Sequence, residues 1–176
     1  MKVLKKAAIM LVVATAFAMN VSAQEQGDMA LGVNLALGSG DGVTNYGIGA
    51  KFQYSITDPI RLEGAFTYFL PKTYGKGIVE SKLNMWDISV NGQYLFSLNE
   101  TLTVYPLAGL GVLGTSYKSD VINSASVSST DFGLNVGGGI DFKLTEKLVL
   151  CGQVKYMIAG DWSRPIATAG VTYKFN

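Results

Sequence analysis

The chain contains no histidine, one cysteine, four prolines and only 15% charged residues in 176 positions. Without histidine there is no Ser-His-Asp nucleophile, no imidazole general base and no histidine-ligated zinc. A single thiol forms no internal disulfide and builds no cysteine-rich metal cluster. With 14 basic and 13 acidic residues the formal charge is +1, well short of the basic excess that nucleic-acid binding requires, so no nucleic-acid partner is expected. Long apolar runs are missing as well: after residue 23 none approaches the roughly 18 residues of a membrane helix. What the chain does have is glycine, at 21 positions, against about 7% in ordinary soluble domains. It also has 48% hydrophobic residues, among them nine tyrosines, eight phenylalanines and two tryptophans. A chain this apolar and charge-poor, yet without a spanning helix, points to a membrane crossed by strands.

Residues 1–23 read as a signal peptide. Lys2, Lys5 and Lys6 precede the apolar run Ala7 to Met19, and Val21-Ser22-Ala23 forms a small-x-small cleavage site, with Gln24 as the expected mature N-terminus. The run is thirteen residues, too short to span a bilayer. Loss of those three lysines leaves 11 basic and 13 acidic residues, a mature net charge of −2. Residues 24–176 are expected to form one exported domain.

Within that domain apolar residues alternate with small or polar ones, the period of a strand. Tyr46, Ile48, Ala50, Phe52, Tyr54 and Ile56 share one face; Gly47, Gly49, Lys51, Gln53 and Ser55 share the other. The pattern predicts eight strands near 28–38, 45–56, 60–70, 83–96, 102–113, 131–144, 148–158 and 166–175. Short connections at Thr57–Pro59, Ser97–Thr101 and Thr145–Lys147 alternate with longer ones at Ser39–Thr44, Pro71–Lys82, Gly114–Thr130 and Ala159–Pro165. Three tight turns on one rim and four longer loops on the other predict an all-β, eight-stranded antiparallel up-and-down transmembrane β-barrel, with short periplasmic turns and longer extracellular loops.

Charge decides which face meets lipid. The apolar faces carry none, whereas the opposite faces carry Lys51, Arg61, Glu63, Asp87, Asp141, Lys143, Lys155 and Lys174. A soluble barrel built this way would have a poor core. Inverted, with hydrocarbon outside and ion pairs and amides filling the narrow interior, the arrangement is sound. The acidic residues are therefore expected to be structural partners of the lumen cations and not catalytic carboxylates. Tyr54, Tyr94, Phe96, Phe142, Tyr173 and Phe175 near the short turns, and Tyr46, Phe66, Tyr68, Trp86, Phe132 and Tyr156 toward the long loops, form two interfacial belts. Gly109-Leu-Gly111-Val-Leu-Gly114 spells a dinucleotide fingerprint but lies inside a strand with no helix after it, so no cofactor is expected. Cys151 alternates with Leu150 and Gly152 and is expected to face inward as a structural thiol.

Two stretches carry a resemblance. Val104-Tyr-Pro-Leu-Ala-Gly-Leu-Gly-Val112 is similar to a Pro-x-x-Gly-x-Gly strand of the small eight-stranded outer-membrane β-barrels of Gram-negative bacteria, the OmpX, OmpW and OmpA-barrel type. The segment Thr168-Ala-Gly170-Val-Thr-Tyr173-Lys-Phe175 resembles the assembly signal of that family, although Asn176 follows the aromatic that usually ends it. The resemblance implies an outer-membrane location, outer-membrane lipid around the wall and the barrel-assembly machinery as folding partner. Lipid A palmitoyltransferases and deacylases on similar barrels depend on a histidine, which this chain lacks. The expectation is thus a non-enzymatic barrel with a structural or surface-interaction role, adhesion or envelope integrity, with a narrow conduit for small or hydrophobic solutes as the alternative. Tyr117 in the longest loop, and Trp162 and Arg164 in the last, are the candidate contacts for an extracellular ligand.

Overall fold

The computed structural model describes residues 26–40, 43–74, 81–119, 126–160 and 163–175. Nearly all of them are strand: β1 (Met29–Gly40), β2 (Val43–Thr57), β3 (Ile60–Tyr74), β4 (Ser81–Tyr94), β5 (Phe96–Ser97), β6 (Leu102–Ser119), β7 (Ser126–Lys143), β8 (Leu148–Ile158) and β9 (Arg164–Lys174). Each neighbouring pair is antiparallel, β9 pairs with β1, and β4 pairs with β6, so the sheet closes on itself. Closure satisfies the backbone of every wall strand, which hydrocarbon demands.

Nine segments make eight wall strands, because β5 continues β4 in one register. Gln93 faces Leu107 before the break and Phe96 faces Val104 after it. The interruption falls where the register passes Pro106, which has no N–H to give to a ladder.

The connections on one rim are tight for local reasons. Between β5 and β6, Asn99 Oδ1 accepts from the backbone N–H of Thr101 at 2.9 Å and of Leu102 at 2.8 Å. Between β7 and β8, Thr145 Oγ1 accepts from the Leu148 N–H at 3.0 Å. These side chains supply the turn hydrogen bonds themselves. On the other rim, the β8–β9 connection turns at Gly160, whose φ of 55° suits glycine, and Ser163 Oγ donates to the Gly160 carbonyl at 2.7 Å.

The strands run further than the alternation predicts. β3 reaches Tyr74, β6 reaches Ser119 and β7 begins at Ser126, so most of the expected loop Thr115–Thr130 is hairpin, paired from Thr115↔Ser129 to Lys118↔Ser126. Both faces of that extension are rich in Ser and Thr. Hydrophobic periodicity therefore fades while the hydrogen-bond ladder continues. Arg164, expected in a loop, is the first residue of β9.

Candidate functional site

The wall follows the expected inversion. On β1, Leu31, Val33, Leu35 and Leu37 are exposed, while Ala30, Gly32, Asn34 and Ala36 are buried in the interior. The outer surface is an apolar band, with Tyr54, Tyr94, Phe142, Tyr173 and Phe175 at the short-turn end and Tyr46, Phe66, Phe132 and Tyr156 toward the other. Trp86 lies across Gly114, its partner on the next strand, so a Cβ there would fall on the indole ring. In the assembly-signal stretch, Tyr173 and Phe175 are both exposed and pack edge to face at 6.0 Å, following Thr168 and Gly170 of β9.

Inside, three ion pairs occupy the lumen, two of them across it and the third between the neighbouring strands β2 and β3. Arg61 Nη1 meets Asp141 Oδ2 at 2.8 Å, Lys155 Nζ meets Asp87 Oδ1 at 2.8 Å, and Lys51 Nζ lies 3.5 Å from Glu63 Oε2. All six residues are buried. Amides complete the layer: Arg61 Nε donates to Gln93 Oε1 at 2.6 Å, Gln53 Nε2 to Glu63 Oε2 at 2.9 Å, and Asn135 Nδ2 to Asn91 Oδ1 at 3.0 Å. Lys155 also donates to Ser89 Oγ at 2.9 Å. Ions removed from water stay charged at tolerable cost only when partnered in this way. Lys143 and Lys174 stand apart: Lys143 is exposed and Lys174 half-buried at the short-turn mouth, where both line a small recess with Asp58, Glu100 and Asp141. Cys151 is buried and donates from Sγ to the Gly170 carbonyl at 3.3 Å.

Sequence reasoning missed that the polar layer is sealed at both ends by apolar side chains. Toward the long loops lie Phe69, Met85, Leu113, Met157 and Ile166 with Ala36 and Ala159. Toward the short turns lie Leu95, Tyr105 and Leu107, with Tyr105 stacked 4.9 Å from the Arg61 guanidinium. The signal was present, since Phe69 shares strand parity with Thr67, and Met85 with Asp87. It was masked by Phe66-Thr-Tyr-Phe-Leu70, where apolar residues occupy both faces. Arg164 belongs to this upper cluster and not to the surface: it is 2% exposed, stacked 4.4 Å from the Phe69 ring. Burial removes it as a contact for an extracellular ligand. Trp162 and the cleavage pair Ala23 and Gln24 lie outside the described residues, and Tyr117 is placed only by its backbone pairing with Leu83 and Val127.

Glycine makes this filling possible. Inward glycines face large inward residues across the ladder: Gly47 opposite Phe69, Gly109 opposite Asn91, Gly137 opposite Lys155, Gly139 opposite Tyr105. A Cβ at Gly139 would strike the Tyr105 ring, and one at Gly47 would sit 3.0 Å from Phe69 Cδ1. An eight-stranded interior is wide enough for one large side chain per pair, not two.

Beyond the apolar band a second feature stands up. Rows such as Thr73↔Lys82↔Lys118↔Ser126 and Lys72↔Leu83↔Tyr117↔Val127 join β3, β4, β6 and β7 into a four-stranded sheet. Its two outer margins have no strand partner among the described residues. Pairing of β7 with β8 starts at Leu134↔Ile158 and Gly133 still packs against Ile158 and Ala159, leaving Ser126–Phe132 paired on the β6 side alone. Pairing of β3 with β2 stops at Phe69, before the irregularity between Phe69 and Lys72. Phe132, beside the bare β7 margin, is 81% exposed, more than any other large apolar residue described.

Comparison with known proteins accords with this architecture. Residues 7–175 match the model of the outer membrane protein beta-barrel domain. No curated protein sequence matches. Among solved structures, Ail, the attachment invasion locus protein of Yersinia pestis, in complex with the heparin analogue sucrose octasulfate, is similar at 20% identity and a TM-score of 0.64, covering 85% of this chain and 99% of that one. The N-terminal β-barrel domain of Pseudomonas aeruginosa OprF is similar at 18% identity and a TM-score of 0.62, covering 86% and 100%. OprG from Pseudomonas aeruginosa is similar at 17% identity and a TM-score of 0.60, covering 89% and 100%.

Proposed function

Since the chain belongs to the family of outer membrane protein beta-barrel domains and is an outer-membrane protein, we propose that it works from its outer surface and not through its lumen, as a non-enzymatic surface-interaction barrel. The observation that carries this reading is the projecting four-stranded sheet, whose β7 margin over Ser126–Phe132 has no strand partner among the described residues. An open strand edge offers a row of backbone donors and acceptors to an extended segment of a partner, and natural proteins usually blunt such edges. Here the described part of the margin, Ser128-Ser-Thr-Asp-Phe132, carries one charge and no proline. The filled, doubly sealed lumen favours this reading over a solute conduit.

The partner class we propose is a sulfated or otherwise anionic host-surface ligand, in line with the sulfated sugar bound to the similar Ail barrel. Lys82 and Lys118 are direct partners in register, which brings two lysine positions together on the projecting sheet. Residues 1–23 are proposed to be cleaved before Gln24. Thr168, Gly170, Tyr173 and Phe175 are proposed to be read by the barrel-assembly machinery.

The test is a shortened hairpin. Deleting residues 117–127 and closing with a tight turn keeps Gly114 under Trp86 and Thr115 in the lumen. Cells displaying this variant are expected to lose most binding to heparin-coated surfaces, with the barrel still folded by its gel shift on boiling. Undiminished binding by a folded variant would remove the projecting sheet from the account.

A further inference from the structure

The outer wall is not evenly filled. Two alanines, Ala169 on β9 and Ala50 on β2, point outward beside the larger side chains Val33, Leu35, Phe66 and Tyr68. Between them the wall is hollowed into a groove of about 630 Å³. Its floor reaches the backbone of Gly49 and Gly170, which belong to the inward parity yet are only half-buried. Every outward side chain lining it is pure hydrocarbon except Tyr68, which brings a single hydroxyl.

The height of the groove follows from register. Ala50 lies midway along β2 between Tyr54 of the short-turn belt and Tyr46 of the long-loop belt. The row through Ala169, Leu35, Ile48 and Tyr68 lies nearer Tyr46. The groove therefore runs from the middle of the apolar band toward the outer belt, in the half of the wall that meets the outer leaflet. There it is continuous with surface that lipid chains already cover, and no charged side chain lines it.

That continuity selects the occupant. A second barrel fits poorly, since two convex walls touch along a line and bury far less than the roughly 1,200 Å² of a stable interface. A flexible acyl chain can follow the hollow and meet backbone below and side chains on either side. Left unfilled, the groove would forfeit the dispersion contacts that the rest of the wall makes with lipid.

We propose that this groove is the seat of one acyl chain of an outer-leaflet lipid, held in preference to the chains around the rest of the wall. It lies apart from the β6–β7 hairpin and does not depend on the role given to that hairpin.

The experiment folds the full-length protein into dioleoylphosphatidylcholine vesicles with a trace of phosphatidylethanolamine carrying a diazirine in one acyl chain. After irradiation the labelled peptides are mapped. Adducts around Ala50 and Ala169 are expected to exceed those around Leu110 and Leu134, exposed on the far wall, by about threefold, the preference that a handful of extra dispersion contacts gives. Ala50→Phe combined with Ala169→Phe fills the groove and is expected to bring its labelling down to the far-wall level. Ala50→Leu is a milder filling that gives the same comparison if the double variant fails its gel shift on boiling. Ala108→Phe adds the same ring to the exposed face of β6 and is expected to leave groove labelling unchanged. Even labelling around the wild-type barrel would overturn the proposal, as would groove labelling that persists in the folded double variant. A groove shielded from the label, with dimers trapped by chemical crosslinking in the same vesicles, would put a second copy there and overturn it as well.

Discussion

Gly109→Val is expected to prevent the barrel from forming, whereas Gly64→Val leaves it intact. Both glycines lie mid-strand in the wall, yet their surroundings are opposite. A Cβ at Gly109 would fall on the Val90 carbonyl oxygen and the Asn91 side-chain oxygen, and within 2.6 Å of Asn91 Cα. Two of those atoms are backbone of the paired strand β4, which no rotamer change can move. Relief would require parting β4 from β6 at the pair Asn91↔Gly109, and would break the Asn135–Asn91 hydrogen bond of the lumen layer. Overpacking of ordinary interiors costs up to about 3 kcal/mol, and a clash with rigid backbone exceeds that. Around Gly64 nothing lies within 4 Å of the added carbon, because that position faces outward. Valine there adds apolar surface to an apolar band and shifts stability by no more than about 0.5 kcal/mol. Gel mobility before and after boiling, with urea titration of whatever folds, measures both. Normal folding of Gly109→Val would mean that the lumen is less tightly filled than described.

Arg61→Met is expected to lower folding stability by about 3–5 kcal/mol, and the double variant Arg61→Met with Asp141→Leu to recover most of it. Arg61 holds the lower lumen together: one nitrogen on Asp141 at 2.8 Å, another on Gln93 at 2.6 Å, its face against Tyr105. Removing it leaves the buried Asp141 carboxylate without its ion-pair partner, and the cost of that weakened compensation dominates the loss of the contacts themselves. Removing both charges eliminates the stranded ion, so the double variant separates charge burial from packing. If the double variant is as unstable as the single one, Arg61 acts chiefly through packing against Tyr105. Urea unfolding in detergent or bilayer, followed by intrinsic fluorescence, gives both values.

The architecture was legible in the sequence wherever one face was apolar and the other small or polar. β1, β2, β8 and the middle of β7 sit within a few residues of their predicted bounds, and the lumen ions Lys51, Arg61, Glu63, Asp87, Asp141 and Lys155 all point inward. Alternation is a statement about solvent on two faces, so it fails where both faces meet the same medium. The projecting parts of β6 and β7 carry Ser and Thr on both faces and so have no apolar period, which made a hairpin read as a loop. Around Phe66 to Leu70 the lumen itself is apolar, so the inner and outer faces were chemically alike and the plug went unseen. Arg164 was misplaced for a related reason: a cation beside a turn reads as solvated, and only the three-dimensional closure of β8 on β9 carries it inside. Pairing partners across the lumen, such as Arg61 with Asp141, eighty residues apart, follow from barrel closure and have no local signature.

Single-channel recording tests the central claim most directly, namely that paired side chains and two apolar seals fill the lumen and leave the outer surface to do the work. Purified, folded protein inserted into planar bilayers is expected to give a flat baseline at all moderate voltages, with insertion verified by protease protection or antibody binding. Stable, stepwise, ohmic conductance from the inserted protein would contradict the filled lumen and restore the conduit.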